Sequence, residues 1–428
     1  MHSKRASDME IFRICPVSQV FSPKKEENRS LKIGIYGGAF DPFHNGHLSM
    51  IRGAIASKKV DRVLVIPTGM PCFKPARNVT LSPYRFYMVK QALKDEPKCD
   101  VCDIEQVFGE PSYTLTTLKN LRKQKVVSDK DELYFICGSD LLFEFESWWK
   151  PEEILKQAKL LCALRPGIDE GQARNQAMHL EEIFDTKIKF FPIEGVEVAS
   201  SVLRKDADWE KEKTIPDSVR KFIRTHDLYC EDAPLMHVSD ETYKLLMKHC
   251  FTLFHEMSGK RLLHSINVCV LSARYALRFG ADPDKCALAG LLHDCAKELP
   301  EQQQIELAAK IIHGYVPGKQ ILHSPAGAVY AKEHYGIEDQ EILDAIQYHT
   351  IGREIMTITD KIVYLADKVE PGRDYDDLSM IRRYAENDLN AALIECYCAI
   401  KESFARKGLA IHEDTKKSLA YLLANRSQ

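Results

Sequence analysis

Short apolar runs and polar breaks alternate along the first half of the chain. LKIGIYG (31–37), VDRVLVIP (60–67), DELYFIC (131–137), AKLLCAL (158–164) and IKFFPI (188–193) are nearly continuous hydrophobic stretches, the pattern of strands buried on both faces. Helical segments separate them. SPYRFYMVKQAL (82–93) reads as a helix with Ser82 as N-cap and Pro83 at the first helical position, and another helix is expected from about Gly46. Strand–helix alternation of this kind predicts an α/β domain over 31–229, an open, doubly wound, Rossmann-like parallel sheet.

The pattern changes after Tyr229. CEDAPLMHVSD (230–240) reads as a linker, and the rest, 241–428, has helical period with no strand run. RLLHSINVCVLSARYALRFG, KCALAGLLHDCAKEL and ITDKIVYLADKVE carry apolar residues three and four apart. Asp282-Pro283 and Ser324-Pro325 look like helix starts of the cap-then-proline kind. The second half is predicted to be all-α. Residues 1–30 read as a loose tail ending in SPKKEENRS.

Composition adds exclusions. A chain of 428 residues is long for one core, and 45% hydrophobic with 28% charged residues excludes wholesale disorder. The net charge of -3 offers no basic field for nucleic acid. Thirteen cysteines are scattered without the spacing of a disulfide scaffold. The close pair Cys99-x-x-Cys102 has no second pair to complete a zinc site, so both read as half-buried residues near a strand. No run approaches the roughly 20 apolar residues of a membrane span, and the first residues lack the apolar core of a secretory signal. A cytoplasmic protein without membrane or nucleic-acid partners is expected.

Gly37-Gly38-Ala39-Phe40-Asp41-Pro42-Phe43-His44-Asn45-Gly46-His47 sits where the first strand gives way to the first helix. Ligands bind at that end of a parallel strand. Glycines admit close approach of a phosphate, and a helix N-terminus at Gly46–His47 presents N–H groups to it. His44 and His47 would neutralise charge developing on a leaving pyrophosphate. Ser200, Ser201 and Arg204, at another helix start, suit phosphate as well. Asp140 follows a strand and a glycine, a position for ribose or metal, and Trp148 or Trp149 is suited to stacking on a flat ring.

The string resembles the HxGH signature of the nucleotidyltransferase superfamily, and 31–229 resembles bacterial nicotinate mononucleotide adenylyltransferases. The matching pieces are Lys74, Ser82-x-x-Arg85-x-x-Met88, Ser112-Tyr113-Thr114, Gly138-Ser139-Asp140 with Trp148, and Ser200-Ser201-x-Leu203-Arg204. The resemblance implies His44 and His47 as catalytic residues. It implies Gly37, Gly38, Phe40, Lys74, Arg85, Thr114, Gly138, Asp140, Trp148, Ser200, Ser201 and Arg204 as binding residues, with Mg accompanying ATP. Two positions depart from the family: Ala39 replaces a usual Thr or Ser, and Pro71-Cys72-Phe73-Lys74 lacks the usual His.

The second constellation is His264, His293-Asp294, His323, His349 and Asp367, all in helical sequence. Imidazole and carboxylate together suit Fe, Mn, Zn or Co. His293-Asp294 ends the apolar LAGLLHD, and Asp367 lies in IVYLADKV, where a lone charged carboxylate would be costly. Metal ligation removes both difficulties. This order resembles the HD-domain phosphohydrolases. GLLHDCAKELP, LHSPAGA, AIQYHTIGR and LADKVEPGRDY resemble the bacterial HD family that cleaves diadenosine tetraphosphate symmetrically to two ADP. The resemblance implies two divalent transition metals, Fe foremost and Mn, Co or Zn as alternatives, bridged by Asp294. His264, His293, Asp294 and Asp367 would hold one, and His323 and His349 with Asp294 the other. Lys297 is implied as catalytic and Arg373 as phosphate-binding.

The sequence thus predicts a bifunctional enzyme acting on ATP, nicotinate mononucleotide and diadenosine tetraphosphate, with a homodimer as one expected assembly. The rivals are another HxGH transferase, for phosphopantetheine or a CTP substrate, another HD nucleotide phosphohydrolase, and a nucleotide-sensing module without turnover.

Overall fold

The computed structural model describes residues 30–71, 79–107, 109, 111–164, 169–194, 198–206, 208–209, 212–230, 233–312, 318–373 and 378–425. The expected tail over 1–29, and Cys72, Phe73 and Lys74, lie outside the described residues. The chain divides into two compact units, residues 1–224 and 225–428.

The first unit carries six strands: β1 (Lys32–Gly38), β2 (Arg62–Pro67), β3 (Cys99–Val101), β4 (Glu132–Gly138), β5 (Lys159–Leu164) and β6 (Lys189–Pro192). Their order is β3-β2-β1-β4-β5-β6 and every neighbouring pair is parallel. Five of the six coincide with the apolar runs of the sequence. The sixth, β3, has only three residues and pairs with β2 alone, so it carries no readable pattern of its own. Its Cys99 is half-buried and Cys102 just beyond it is buried. Helices α1 (Asn45–Ala56), α2 (Ser82–Ala92), α3 (Thr114–Lys123), α4 (Pro151–Gln157), α5 (Glu170–Phe184), α6 (Ser200–Asp206) and α7 (Asp217–Thr225) connect or flank the strands. The chain order reverses direction between β1 and β4, and that switch point opens a crevice at the strands' carboxyl ends.

Two helix starts differ from expectation. Leu81, not Ser82, is the N-cap of α2, because the Ser82 hydroxyl is drawn to the buried Gln106 side chain at 2.7 Å. Further on, Ser324 lies inside a helix rather than before it; its hydroxyl meets that of Thr350 instead of capping a backbone N–H.

The second unit is helical throughout its described residues: α8 (Asp240–Glu256), α9 (Gly259–Phe279), α10 (Pro283–Leu292), α11 (Glu301–Ala308), α12 (His323–Tyr335), α13 (Gln340–Tyr348), α14 (Ile358–Val369), α15 (Leu378–Ala385), α16 (Leu389–Arg406) and α17 (Glu413–Ala424). Asp282 caps α10 by accepting from Asp284 N–H at 2.9 Å. The main apolar cluster joins α9, α14 and α16 through Val268, Leu271, Ile362, Leu365, Leu393 and Tyr397. Asp227, before the expected linker, pairs with Arg274 of α9 at 2.7 Å. No described helix is long and apolar enough to cross a membrane.

Candidate active sites

In the first unit, a cavity of about 260 Å³ lies at the carboxyl ends of β1, β2 and β4. Its walls include Gly37, Gly38, Thr68, Glu105, Thr114 and Trp148. Four of the expected binding residues therefore share one cleft. Trp148 is half-buried, edge-on to Phe135 with centroids 5.6 Å apart, while Trp149 is exposed beside Tyr113. A side chain on Gly38 would come within 3.0 Å of the Phe40 ring, so that turn admits only glycine without displacement.

His44 is the N-cap of α1 and His47 stands one turn on, their rings stacked with centroids 3.7 Å apart. The His44 backbone N–H donates to His47 Nδ1 at 3.1 Å. That bond makes Nδ1 an acceptor and leaves the imidazole hydrogen on Nε2, a donor for a phosphate oxygen. The helix N-terminus contributes less than expected: the Asn45 N–H is held by the Thr214 carbonyl at 2.7 Å and that of His47 by the His44 carbonyl at 2.9 Å.

Two expected binding residues act from beneath the site. Phe40 is 2% exposed, with φ +50, and packs in a T with the His47 ring, centroids 4.9 Å apart. Arg85 is 1% exposed and donates to the carbonyls of Thr80 (2.8 Å), Ala39 (2.9 Å) and Gly69 (3.1 Å). A buried guanidinium needs several acceptors, and these carbonyls supply them, so Arg85 stitches the turn after β1 to the loop after β2. Arg204 donates to the Asp41 carbonyl at 2.5 Å and Ser200 to that of Pro42 at 3.0 Å, which sets α6 against the histidine turn. Ser201 is exposed on α6; Gly138 ends β4, and Asp140 is exposed just after it. Glu105 was not legible in the sequence. Burial pushes its carboxyl up, against the lowering effect of hydrogen bonds from Ser112 and Thr117.

In the second unit, helix ends aim the chemistry. His293 follows α10 and donates Nδ1–H to the Gly290 carbonyl at 2.8 Å; His349 follows α13 and donates to Ile346 at 2.7 Å. Carbonyls of a last helical turn lack intrahelical partners, and each ring satisfies one. Both rings are thereby left with Nε2 as a lone pair pointing inward. His264 of α9 lies against Glu370 through Nδ1 at 3.1 Å, so its Nε2 also faces the centre.

All six expected ligands converge. His264, His293 and Asp367 bring donor atoms within 4.8 Å of one another, as do His293, Asp294 and His349. Asp294 divides its oxygens: Oδ1 is 3.2 Å from His323 Nε2 and 3.5 Å from His349 Nε2, while Oδ2 is 3.7 Å from His293 Nε2. Burial opposes ionisation of Asp294, but His293, His323 and His349 hold it well below the usual carboxylate range. Asp367 is likewise held low against burial, by Lys368 and then by His264 and His293. Burial pushes His349 down to about 4. Imidazole nitrogens and carboxylates gathered in a buried space fit a cation.

Cationic side chains surround this centre. Arg373 Nη2 is 2.8 Å from Asp367 Oδ1, and Lys297 Nζ is 2.9 Å from the His323 ring. Lys297 is thus turned inward rather than solvated, and burial pushes its ammonium down. Arg261 and Lys368 were missed: Arg261 Nη1 reaches Asp294 Oδ2 at 2.6 Å and Lys368 Nζ reaches Asp367 Oδ2 at 2.5 Å. Arg261 stands three residues before His264 on α9, a same-face spacing that was readable.

Fold and sites define a two-unit protein, an α/β nucleotidyltransferase unit followed by a helical HD unit. Residues 35–228 match the cytidylyltransferase-like family model and 261–372 the HD domain model, a domain that implies a divalent metal. The probable nicotinate-nucleotide adenylyltransferase/Ap4A hydrolase of Mycoplasma genitalium is 30% identical over 355 residues, covering 81% of this chain and 90% of that protein. The probable nicotinate-nucleotide adenylyltransferase of Carboxydothermus hydrogenoformans is 34% identical over 46% of this chain and 98% of its own. A crystal structure of a predicted HD superfamily hydrolase involved in NAD metabolism, from Clostridium acetobutylicum, is 34% identical over 42% of this chain and 96% of its own, with a TM-score of 0.39. The chain belongs to the nicotinate-nucleotide adenylyltransferase/Ap4A hydrolase family.

Proposed function

We propose that the chain is a bifunctional cytoplasmic enzyme. The transferase lies within 31–229: it joins the adenylyl group of ATP to nicotinate mononucleotide, giving nicotinate adenine dinucleotide and pyrophosphate. The hydrolase lies within 241–428: it splits diadenosine tetraphosphate into two ADP. The observation that carries the reading is the meeting of six expected ligand side chains, from α9, α12, α14 and the residues just after α10 and α13, in one buried centre of the second unit, with a nucleotide-type cleft in the first.

In the transferase, Thr114 and Trp148 line the cleft, and Trp148 offers an aromatic wall to the pyridine ring. A phosphate oxygen of the mononucleotide attacks the α-phosphorus of ATP, and the bond to pyrophosphate breaks. His47 donates through Nε2–H to the departing charge, with His44 stacked behind it. Arg85, Phe40 and Arg204 hold the turn that aims those rings. Mg bound with ATP would neutralise phosphate charge. Phosphoryl chemistry of this kind is mostly positioning and electrostatics, which these residues supply.

In the hydrolase, His264, His293, Asp294 and Asp367 would hold one cation, and His323, His349 and Asp294 the other. Two divalent cations, iron in our reading, would activate water and polarise the central phosphates. Arg373, Arg261 and Lys297, which border the centre, would offset the remaining phosphate charge, and attack by water at the middle of the tetraphosphate would release two ADP.

The test is to incubate the chain with diadenosine tetraphosphate, and separately with ATP and nicotinate mononucleotide, and to chromatograph the products. Two ADP in the first and the dinucleotide in the second are expected. ATP plus AMP from the first, or no dinucleotide from the second, refutes the corresponding half.

A further inference from the structure

The Glu370-Pro371-Gly372-Arg373 string contains Glu370 and Gly372, to which the chemistry above gives no role. Glu370 is 3% exposed. Its Oε1 lies 3.1 Å from His264 Nδ1, while Oε2 accepts from Asn267 Nδ2 at 2.6 Å and from the Gly372 N–H at 2.5 Å. Asn267 Oδ1 in turn lies 3.1 Å from His226 Nδ1. A Cβ on Gly372 would come within 3.0 Å of Glu370 Oε2 and 3.1 Å of Asn267 Nδ2, so glycine is what lets the backbone reach the carboxylate.

The geometry points to Glu370 as the positioning residue of His264: we propose that it fixes the tautomer and tilt of that ring for metal binding, and that Asn267 and Gly372 hold it there. An ionised carboxylate only accepts, so His264 must place its hydrogen on Nδ1 and turn the Nε2 lone pair toward His293 and Asp367. Two N–H donors on Oε2 fix which oxygen faces the imidazole. Partners of this kind orient metal-binding histidines and raise their basicity. The inference rests on the metal reading of this centre.

Glu370→Gln separates this role from one in folding alone. The glutamine carbonyl would turn to the Asn267 and Gly372 donors, leaving its NH₂ against His264 Nδ1. His264 would then accept there and carry its hydrogen on Nε2, where the metal should bind. The bond count of the fold is kept and the ligand is spoiled.

The full chain is stripped with chelator and titrated with Co²⁺, followed by visible absorption, with helical circular dichroism as the folding check. Glu256→Gln, which loses the same charge but bonds to Tyr335 and His334 instead, is the control. Glu370→Gln is expected to weaken Co²⁺ binding at one site by ~10- to 100-fold, with Glu256→Gln like the parent. Unchanged Co²⁺ binding in Glu370→Gln, or an equal loss in both variants, overturns the inference. A parent that binds no Co²⁺ overturns the metal reading, and this inference with it. If Glu370→Gln does not fold, Gly372→Ala decides: it keeps the carboxylate but crowds it, and Co²⁺ binding equal to the parent's refutes the role.

Discussion

The rings of Phe40 and His47 meet edge to face, 4.9 Å between centroids, with the Phe40 backbone bent to φ +50. A left-handed backbone at a bulky residue is strained, and such strain persists where surrounding packing fixes it. Tyr36 and Phe43 do so, at 5.4 and 5.7 Å from the same ring. Phe40 thus packs against the His47 ring in the turn that carries the expected catalytic histidines.

Phe40→Leu should therefore lower kcat of adenylyl transfer while the hydrolase keeps its rate. A small misplacement of His47 is worth about 10- to 100-fold, whereas His47→Ala should abolish transfer. Steady-state rates of both activities on each variant check this. Equal loss of both activities would refute separate sites.

Arg85 predicts a stability effect in the first unit. Lysine keeps the charge but cannot span carbonyls of Thr80, Ala39 and Gly69 together, and orphaned buried carbonyls are costly. Arg85→Lys should cost roughly 2–4 kcal/mol and raise KM for ATP. Thermal inactivation of the transferase measures it. An unchanged Tm would show that the loops do not depend on the guanidinium.

Among the described residues, Asp294 is the one carboxylate that faces both histidine sets, through Oδ1 to His323 and His349 and through Oδ2 to His293. Asp294→Ala should empty one metal site, weaken the other and cut hydrolysis by at least ~10²-fold. His323→Ala leaves the His264, His293 and Asp367 group whole and should cost less. Metal content per chain and hydrolysis rate, on protein with unchanged circular dichroism, decide. Two metals retained in Asp294→Ala would refute a bridging carboxylate.

His249 predicts acid sensitivity in the second unit. It is 1% exposed, edge-on to Tyr335, and burial pushes it down to about 4, with Lys248 and His334 adding repulsion. The unfolded chain takes up this proton at the ordinary histidine pKa, near 6.5, and the folded one only near 4. Stability must fall as pH drops through that window and not above it. His249→Phe should remove about 2 kcal/mol of the parent's loss between pH 7 and pH 5. Denaturant titration of the helical signal at the two pH values tests this; parallel losses in both proteins would refute it.

Local features were legible in the sequence. Five of six strands, the α/β-to-helical change, the glycine turn with His44 and His47, and the cap at Asp282 all depend on neighbours in sequence. Hydrophobic period and turn chemistry report those directly. The six expected ligands could also be named, from their order and resemblance, and for Asp294 and Asp367 because an apolar helix would otherwise bury an unpaired carboxylate.

Tertiary structure decided what those residues do to one another. No local pattern says that the Arg85 guanidinium turns inward to three carbonyls, that the Phe40 ring packs against His47, or that Ser82 prefers Gln106 to its own helix end. β3 exists through its pairing with β2. His264 and Glu370 are 106 residues apart, and Arg261 and Asp294 33 apart; only the packing of α9 against α10 and α14 makes them partners. A sequence carries the chemistry of each side chain, but the direction a lone pair faces is set by what the other end of the ring is bonded to, and that partner is chosen by packing.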